Sequence, residues 1–189
     1  MSAASTKTRR LTVMAMLVAV SVVLLYLVRF PLFPAAAFLE YDPADIPILI
    51  GTFLFGPTAG LMLTIVASVI QGLTVSAGSG FIGIIMHILA TGSMVLVAGN
   101  IYRVRHDRKG AALALLAGIV TMTAAMCVCN LIFTPIFMGA PVEAVLAMLV
   151  PIIIPFNLIK ATANCIITFI VYKSISRLVS GENNKPVGA

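Results

Sequence analysis

The sequence predicts an all-α integral membrane protein: a bundle of six transmembrane helices with a short second helix and an outer Pro-rich loop. Two observations carry that expectation. The first is composition: 61% of the 189 residues are hydrophobic, 10% are charged and the mean hydropathy is +1.14. So few charges cannot cover the surface of a water-soluble domain. The second is arrangement. The basic residues fall mainly into three clusters between long uncharged runs: Lys7, Arg9 and Arg10; Arg103, Arg105, Arg108 and Lys109; Lys173, Arg177 and Lys185. Cytoplasmic loops of membrane proteins carry such an excess of Lys and Arg. The net charge of +6 therefore reads as topology, with the lipid bilayer as partner and no nucleic acid.

Residues 1–10 read as a cytoplasmic N-terminal tail. Leu11–Val28 is uncharged over 18 residues, enough for one crossing and too long for a signal-peptide core. Residues 29–45 then combine Pro31, Pro34 and Pro43 with Glu40, Asp42 and Asp45; proline locks φ, so this stretch is a loop. Ile46–Leu73 follows, 28 residues without charge, broken by Gly56-Pro57. A single crossing here, with the N-terminus inside, would turn the 103–109 cluster outward, against the positive-inside rule. Two crossings that turn at Gly56-Pro57 keep all three clusters cytoplasmic. The first of them, Ile46–Phe55, covers only about 15 Å at 1.5 Å per residue. The Pro-rich loop must help fill the space left, because non-helical backbone at membrane depth survives only where it is buried or lines a cavity. Phe81–Tyr102, Ala111–Pro141 and Ala144–Tyr172 supply three more helices. The transmembrane domain is thus 11–178, residues 179–189 form a cytoplasmic C-terminal tail, and a pocket opens outward.

Lys160 is the anomaly in that pattern. A lysine at the centre of a transmembrane helix costs about 2.5–3.5 kcal/mol on insertion scales, and such residues face an interior or an aqueous cavity. Asn157, Lys160 and Asn164 recur at i, i+3 and i+7, within about 60° of one another on a helix. Asn130 lies in the preceding run, and Pro151 and Pro155 loosen the helix before the polar face. A lone Asn reads as interhelical glue; three polar groups on one face, a lysine among them, read as a binding site. In a ligand site, Lys160→Met is expected to leave the unliganded chain as stable as before or more so. Within the outer loop, Glu40 and Tyr41 belong to a candidate lid. Tyr41 either packs on a ligand ring or solvates the loop, whereas Asp42 and Asp45 read as solvating groups, Asp45 capping the next helix.

Other patterns carry less. Cys127, Cys129 and Cys165 sit in apolar runs without metal-ligand spacing and read as small hydrophobes. Gly78-Ser79-Gly80-Phe81-Ile82-Gly83 spells GxGxxG but lacks the strand before it and the acidic residue some 20 positions on that a dinucleotide site needs, so it reads as an outer turn. His87 reads as an interior hydrogen-bonding group. Ala15 and Ala19 make an AxxxA and Gly56 and Gly60 a GxxxG, spacings that let helix backbones approach closely. GxxxxGK[ST], HExxH and GxSxG are absent.

Taken together, the AxxxA, the Phe30-Pro31-Leu32-Phe33-Pro34 segment, Leu39-Glu40-Tyr41-Asp42-Pro43-Ala44-Asp45-Ile46-Pro47, Phe55-Gly56-Pro57-Thr58-Ala59-Gly60 and Asn157-Leu158-Ile159-Lys160 resemble the substrate-binding S-components of energy-coupling factor (ECF) vitamin transporters. The resemblance spans nearly the whole chain and is nearest to the riboflavin-specific RibU type. It implies a six-helix, ATP-free binding subunit in the bacterial cell membrane. Riboflavin would be held on the outer side under the loop between the first two helices. A separate transmembrane T-subunit and two ABC ATPases would drive its uptake. It also implies that Asn130, Asn157 and Lys160 hydrogen-bond the flavin and that Ala15 and Ala19 face the T-subunit. No catalytic residue, metal or cofactor is expected, riboflavin being the transported ligand. The chain has no tryptophan, which weighs against a thiamine-type member. The alternatives are an S-component for another vitamin or precursor and a membrane-embedded lipid-modifying enzyme. The second would place acidic pairs or His at the membrane surface to hold metal, whereas the acidic residues here cluster in one outer loop.

Overall fold

The computed structural model describes residues 3–180; Lys185 of the third basic cluster and the tail from 181 onward lie outside them. Helix α1 runs Ala3–Leu27, so the basic residues at 7, 9 and 10 are helical. Two minimal strands follow, β1 (Phe30–Pro31) and β2 (Glu40–Tyr41), paired antiparallel with Phe30 opposite Tyr41. One 3₁₀ turn at Pro34–Ala36 occupies the tip between them. Then come α2 (Asp45–Phe55), α3 (Pro57–Leu73), α4 (Gly80–Val104), α5 (Arg108–Met138), α6 (Val142–Met148) and α7 (Ile154–Ser180). Among the described residues, four stretches are long and apolar enough to cross a membrane: Lys7–Leu27, Ala77–Val104, Arg108–Met138 and Val142–Ser176. With the two shorter apolar helices α2 and α3, the described residues make the six-helix bundle that the sequence predicts.

The turn at Gly56-Pro57 has a local cause. Gly56 adopts φ 92°, ψ 172°, a conformation that side-chain-bearing residues rarely take, and Pro57 then starts α3 at a position where its missing N–H costs nothing. The two helices fold back as a hairpin so tight that a Cβ on Gly60 would meet Thr52 Oγ1 at 2.1 Å. That close approach is what the Gly56–Gly60 spacing serves. Val18, Leu49, Leu63, Met94, Leu115 and Ala161 are among the buried residues of the main core, which α1 to α5 and α7 share. Phe53 stacks on Tyr102 at 4.3 Å and meets Tyr172 edge-on at 5.5 Å toward one end of it.

The last crossing is compound. Between α6 and α7 the chain makes one π turn, Leu149–Ile153, with Pro151 inside it and Pro155 just beyond. Two prolines four apart remove two backbone donors, and a widened turn is how a helix absorbs such a gap. Just beyond it, Phe156 and Asn157 join the lining of the cavity described next.

Candidate functional site

A cavity of about 350 Å³ lies between the β1–β2 hairpin and the ends of α3, α4, α5 and α7, within the size range of small-molecule sites. Its depth follows from two helices independently. Ala90 of α4 and Met122 of α5 are the deepest lining residues of their helices. Each stands fourteen residues from the end next to the basic 103–109 loop, Val104 and Arg108 respectively, or about 21 Å at 1.5 Å per residue. Part of the lining is apolar and pliable, with Met86, Met122, Met126 and Phe156. The rest includes amides and charges on the same helices.

On α7, Asn157 and Lys160 both line the cavity. Asn157 is buried and donates from Nδ2 to the Ile153 carbonyl at 2.8 Å, yet its Oδ1 has no partner among the described residues. Lys160 donates to Asp42 Oδ2 at 2.6 Å, and both side chains are about nine-tenths buried. Across from them Asn130 of α5, fully buried, donates to the Met126 carbonyl and accepts from Thr134 Oγ1, both at 2.8 Å. Glu40 lines the cavity as the partner of Arg29, which also donates to the Val75 carbonyl. This ties the hairpin to the α3–α4 connection across the cavity mouth.

Tyr41 and Asn164 are not among the lining residues. The Tyr41 hydroxyl donates to Asn164 Oδ1 at 3.1 Å, and Asn164 Nδ2 donates to the Asp42 carbonyl and to Asp45 Oδ2, each at 3.1 Å. Burial, and then Asp42, push the Tyr41 phenol above its ordinary range, so it remains a donor. These two residues fasten the end of the loop to α7. The structure therefore gathers Glu40, Asn130, Asn157 and Lys160 around the cavity and places Tyr41 and Asn164 in its support. Ala15 and Ala19 are exposed on α1, well away from it.

Asp42 and Asp45 differ most from the sequence reading. Neither solvates a loop: Asp42 is 8% and Asp45 0% exposed. Asp45 makes no helix cap. It lies in the first turn of α2 after Ala44, accepts from Thr91 Oγ1 at 2.8 Å and stands 3.5 Å from His87 Nε2. Asp42 Oδ1 accepts instead from the Ala44 amide. The interior role of His87 is as expected, with Nδ1 2.7 Å from Ser68 Oγ. Sequence reasoning missed Arg29 and Gln71 and did not single out Met86, Met122 and Met126 as lining residues; a basic residue heading a Pro-rich loop that carries a glutamate was the available signal for Arg29. Cys129 and Cys165 are buried, Cys127 is half-buried, and all three are free.

Residues 9–172 match the family described as "ECF transporter, substrate-specific component". The chain belongs to that family. Relatives of this S-component include riboflavin transporter RibU of Streptococcus thermophilus, 29% identical and matched over 92% of this chain and 86% of its own length. RibU of Staphylococcus aureus is 29% identical over 90% and 92%, and riboflavin transporter FmnP of Bacillus subtilis 26% identical over 88% and 91%. Among solved structures, the S component of a bacterial ECF transporter superposes with a TM-score of 0.79 at 29% identity, covering 92% of this chain and 98% of that one. Family and apolar helices together make this S-component a protein of the bacterial plasma membrane.

Proposed function

We propose that this S-component binds riboflavin in the cavity and delivers it for uptake powered by separate subunits. The observation that carries the ligand assignment is that buried amides, a lysine and several methionines line one cavity. Asn157 Oδ1 is a buried acceptor without a protein partner, and an imide N–H is the kind of donor it lacks. An ammonium has three N–H donors; Asp42 takes one from Lys160, which leaves donors for ring carbonyl or hydroxyl oxygens. The methionines that line the same cavity suit a flat aromatic face, since thioethers pack well on rings. Three relatives named as riboflavin transporters support the same ligand.

Flavin absorbs visible light and fluoresces, so the purified protein tests the reading directly. Riboflavin should quench on titration, and Asn157→Ala should weaken binding by about 1–3 kcal/mol, roughly five- to a hundred-fold. Absence of quenching by the wild type transfers the site to another vitamin or precursor.

The three basic clusters put both termini in the cytoplasm by the positive-inside rule, and the pocket then opens outward. Cysteine accessibility should find position 106 inside and position 78 outside; labelling of position 78 from the cytoplasm would invert the arrangement. Coupling is assigned to a transmembrane T-subunit docking on Ala15 and Ala19, with two ABC ATPases behind it. The transport of one small molecule is the whole task in this reading, with no bond made or broken in it.

A further inference from the structure

Three nitrogen-bearing side chains that can carry positive charge line the cavity: Arg29, His87 and Lys160. Each already faces a carboxylate. Lys160 Nζ is 2.6 Å from Asp42, His87 Nε2 is 3.5 Å from Asp45, and Arg29 Nε is 2.5 Å from Glu40. Two of these pairs are deep, but Arg29 and Glu40 are only part-buried, at 26% and 31% exposed, and stand at the mouth. A phosphate monoester brings about 1.5–2 negative charges at pH 7. In a partly desolvated cavity it needs a cation that is not already neutralised. Among the described lining residues it meets none, and at the mouth it meets a carboxylate.

We propose that Glu40 makes the site selective for the uncharged ligand over its phosphorylated form, by keeping the Arg29 guanidinium occupied. Glu40 is then a specificity residue that acts through repulsion and through its claim on Arg29, the kind of element by which a site rejects a near-identical competitor. The inference rests on the flavin assignment above and adds to it a chemical class that the site refuses.

The test titrates riboflavin and riboflavin 5′-phosphate into the purified full-length protein, read by fluorescence quenching. Glu40→Gln keeps the length of the side chain and an oxygen for Arg29 to donate to, so the hairpin persists while the guanidinium charge is released. The riboflavin-to-phosphate affinity ratio should narrow by about tenfold or more, what one charge-assisted hydrogen bond supplies. The change should come mainly through tighter phosphate binding that weakens with added salt. Arg29→Gln leaves Glu40 unneutralised and should widen the ratio. An unchanged ratio in Glu40→Gln, with riboflavin still bound, overturns the charge argument alone. A wild type that binds neither flavin overturns the flavin assignment and this inference with it. Should Glu40→Gln fail to fold, Arg29→Gln decides: a wider ratio supports the proposal and an unaltered one sinks it.

Discussion

The two halves of the bundle are built on different principles. The half next to the basic loops is a continuous apolar core shared by six helices. Its polar groups are largely side chains such as Thr52 and Thr64, which bond their own helix backbone four residues back. Glycines set its spacing: a Cβ on Gly99 would meet Pro57 Cα at 2.9 Å. The other half has a second, smaller core of Ala36, Leu39, Val145, Ile153 and Phe156, formed where the hairpin loop meets α6 and the π turn. Ion pairs and amides there do what interdigitated side chains do below. Apolar burial is concentrated in the first half, and the second is held by a few specific polar contacts. Segments with few buried apolar contacts open at low cost, which is what a ligand needs to enter.

The sharpest way to break this contrast is Lys160→Met. It strands the buried Asp42 carboxylate, and removing one partner of a buried pair costs about 3–5 kcal/mol. Thermal unfolding of the ligand-free protein should show that loss, and Asp42→Asn in the same chain should recover most of it without restoring riboflavin binding. This reverses the expectation from sequence, where the lysine stood as an uncompensated charge whose removal left the chain no weaker. A single variant that melts with the wild type would mean the polar contacts carry no structural weight.

A smaller effect is expected in the apolar half. Gly60→Val drives a side chain into Thr52, and overpacking of this kind costs about 1–3 kcal/mol. The melting temperature should fall while the folded protein keeps its riboflavin affinity; a parallel loss of affinity would show that the halves are not separable. The smallest effect on the isolated chain is expected at the exposed face of α1. Ala15→Trp or Ala19→Trp should change stability by no more than about 0.5 kcal/mol and leave riboflavin binding intact. Uptake by the complete transporter should nevertheless fail, because bulk blocks close helix approach. If binding drops together with uptake, α1 contacts belong to the internal packing.

The apolar half was the more legible one. Run lengths, the Gly56-Pro57 break and the basic clusters depend on residues close in sequence, and they lead to six helices and a half-length second one. The spacing of Asn157, Lys160 and Asn164 likewise marks one face of one helix. What the chain does not display locally is partnership across it. Lys160 and Asp42 are 118 positions apart, and a carboxylate in a Pro-rich loop ordinarily reads as solvated. Asn164 shares its face with the cavity-lining pair, yet sits one turn too deep to reach the cavity and bonds the loop end instead. The difference between those positions is a matter of depth along the helix, which angular periodicity does not encode.

The depth of the cavity floor has a consequence for the energetics of crossing. A hydrocarbon layer of about 30 Å is a barrier to a hydrogen-bonding solute because each polar group must shed its water. A solute resting against Ala90 and Met122 has already descended past the outer ends of the helices without meeting a lipid chain. In the proposed orientation, with the basic loops cytoplasmic, what separates it from the far side is about 21 Å of packed protein. The membrane is in effect thinned at this one place, and only the remaining plug has to be displaced.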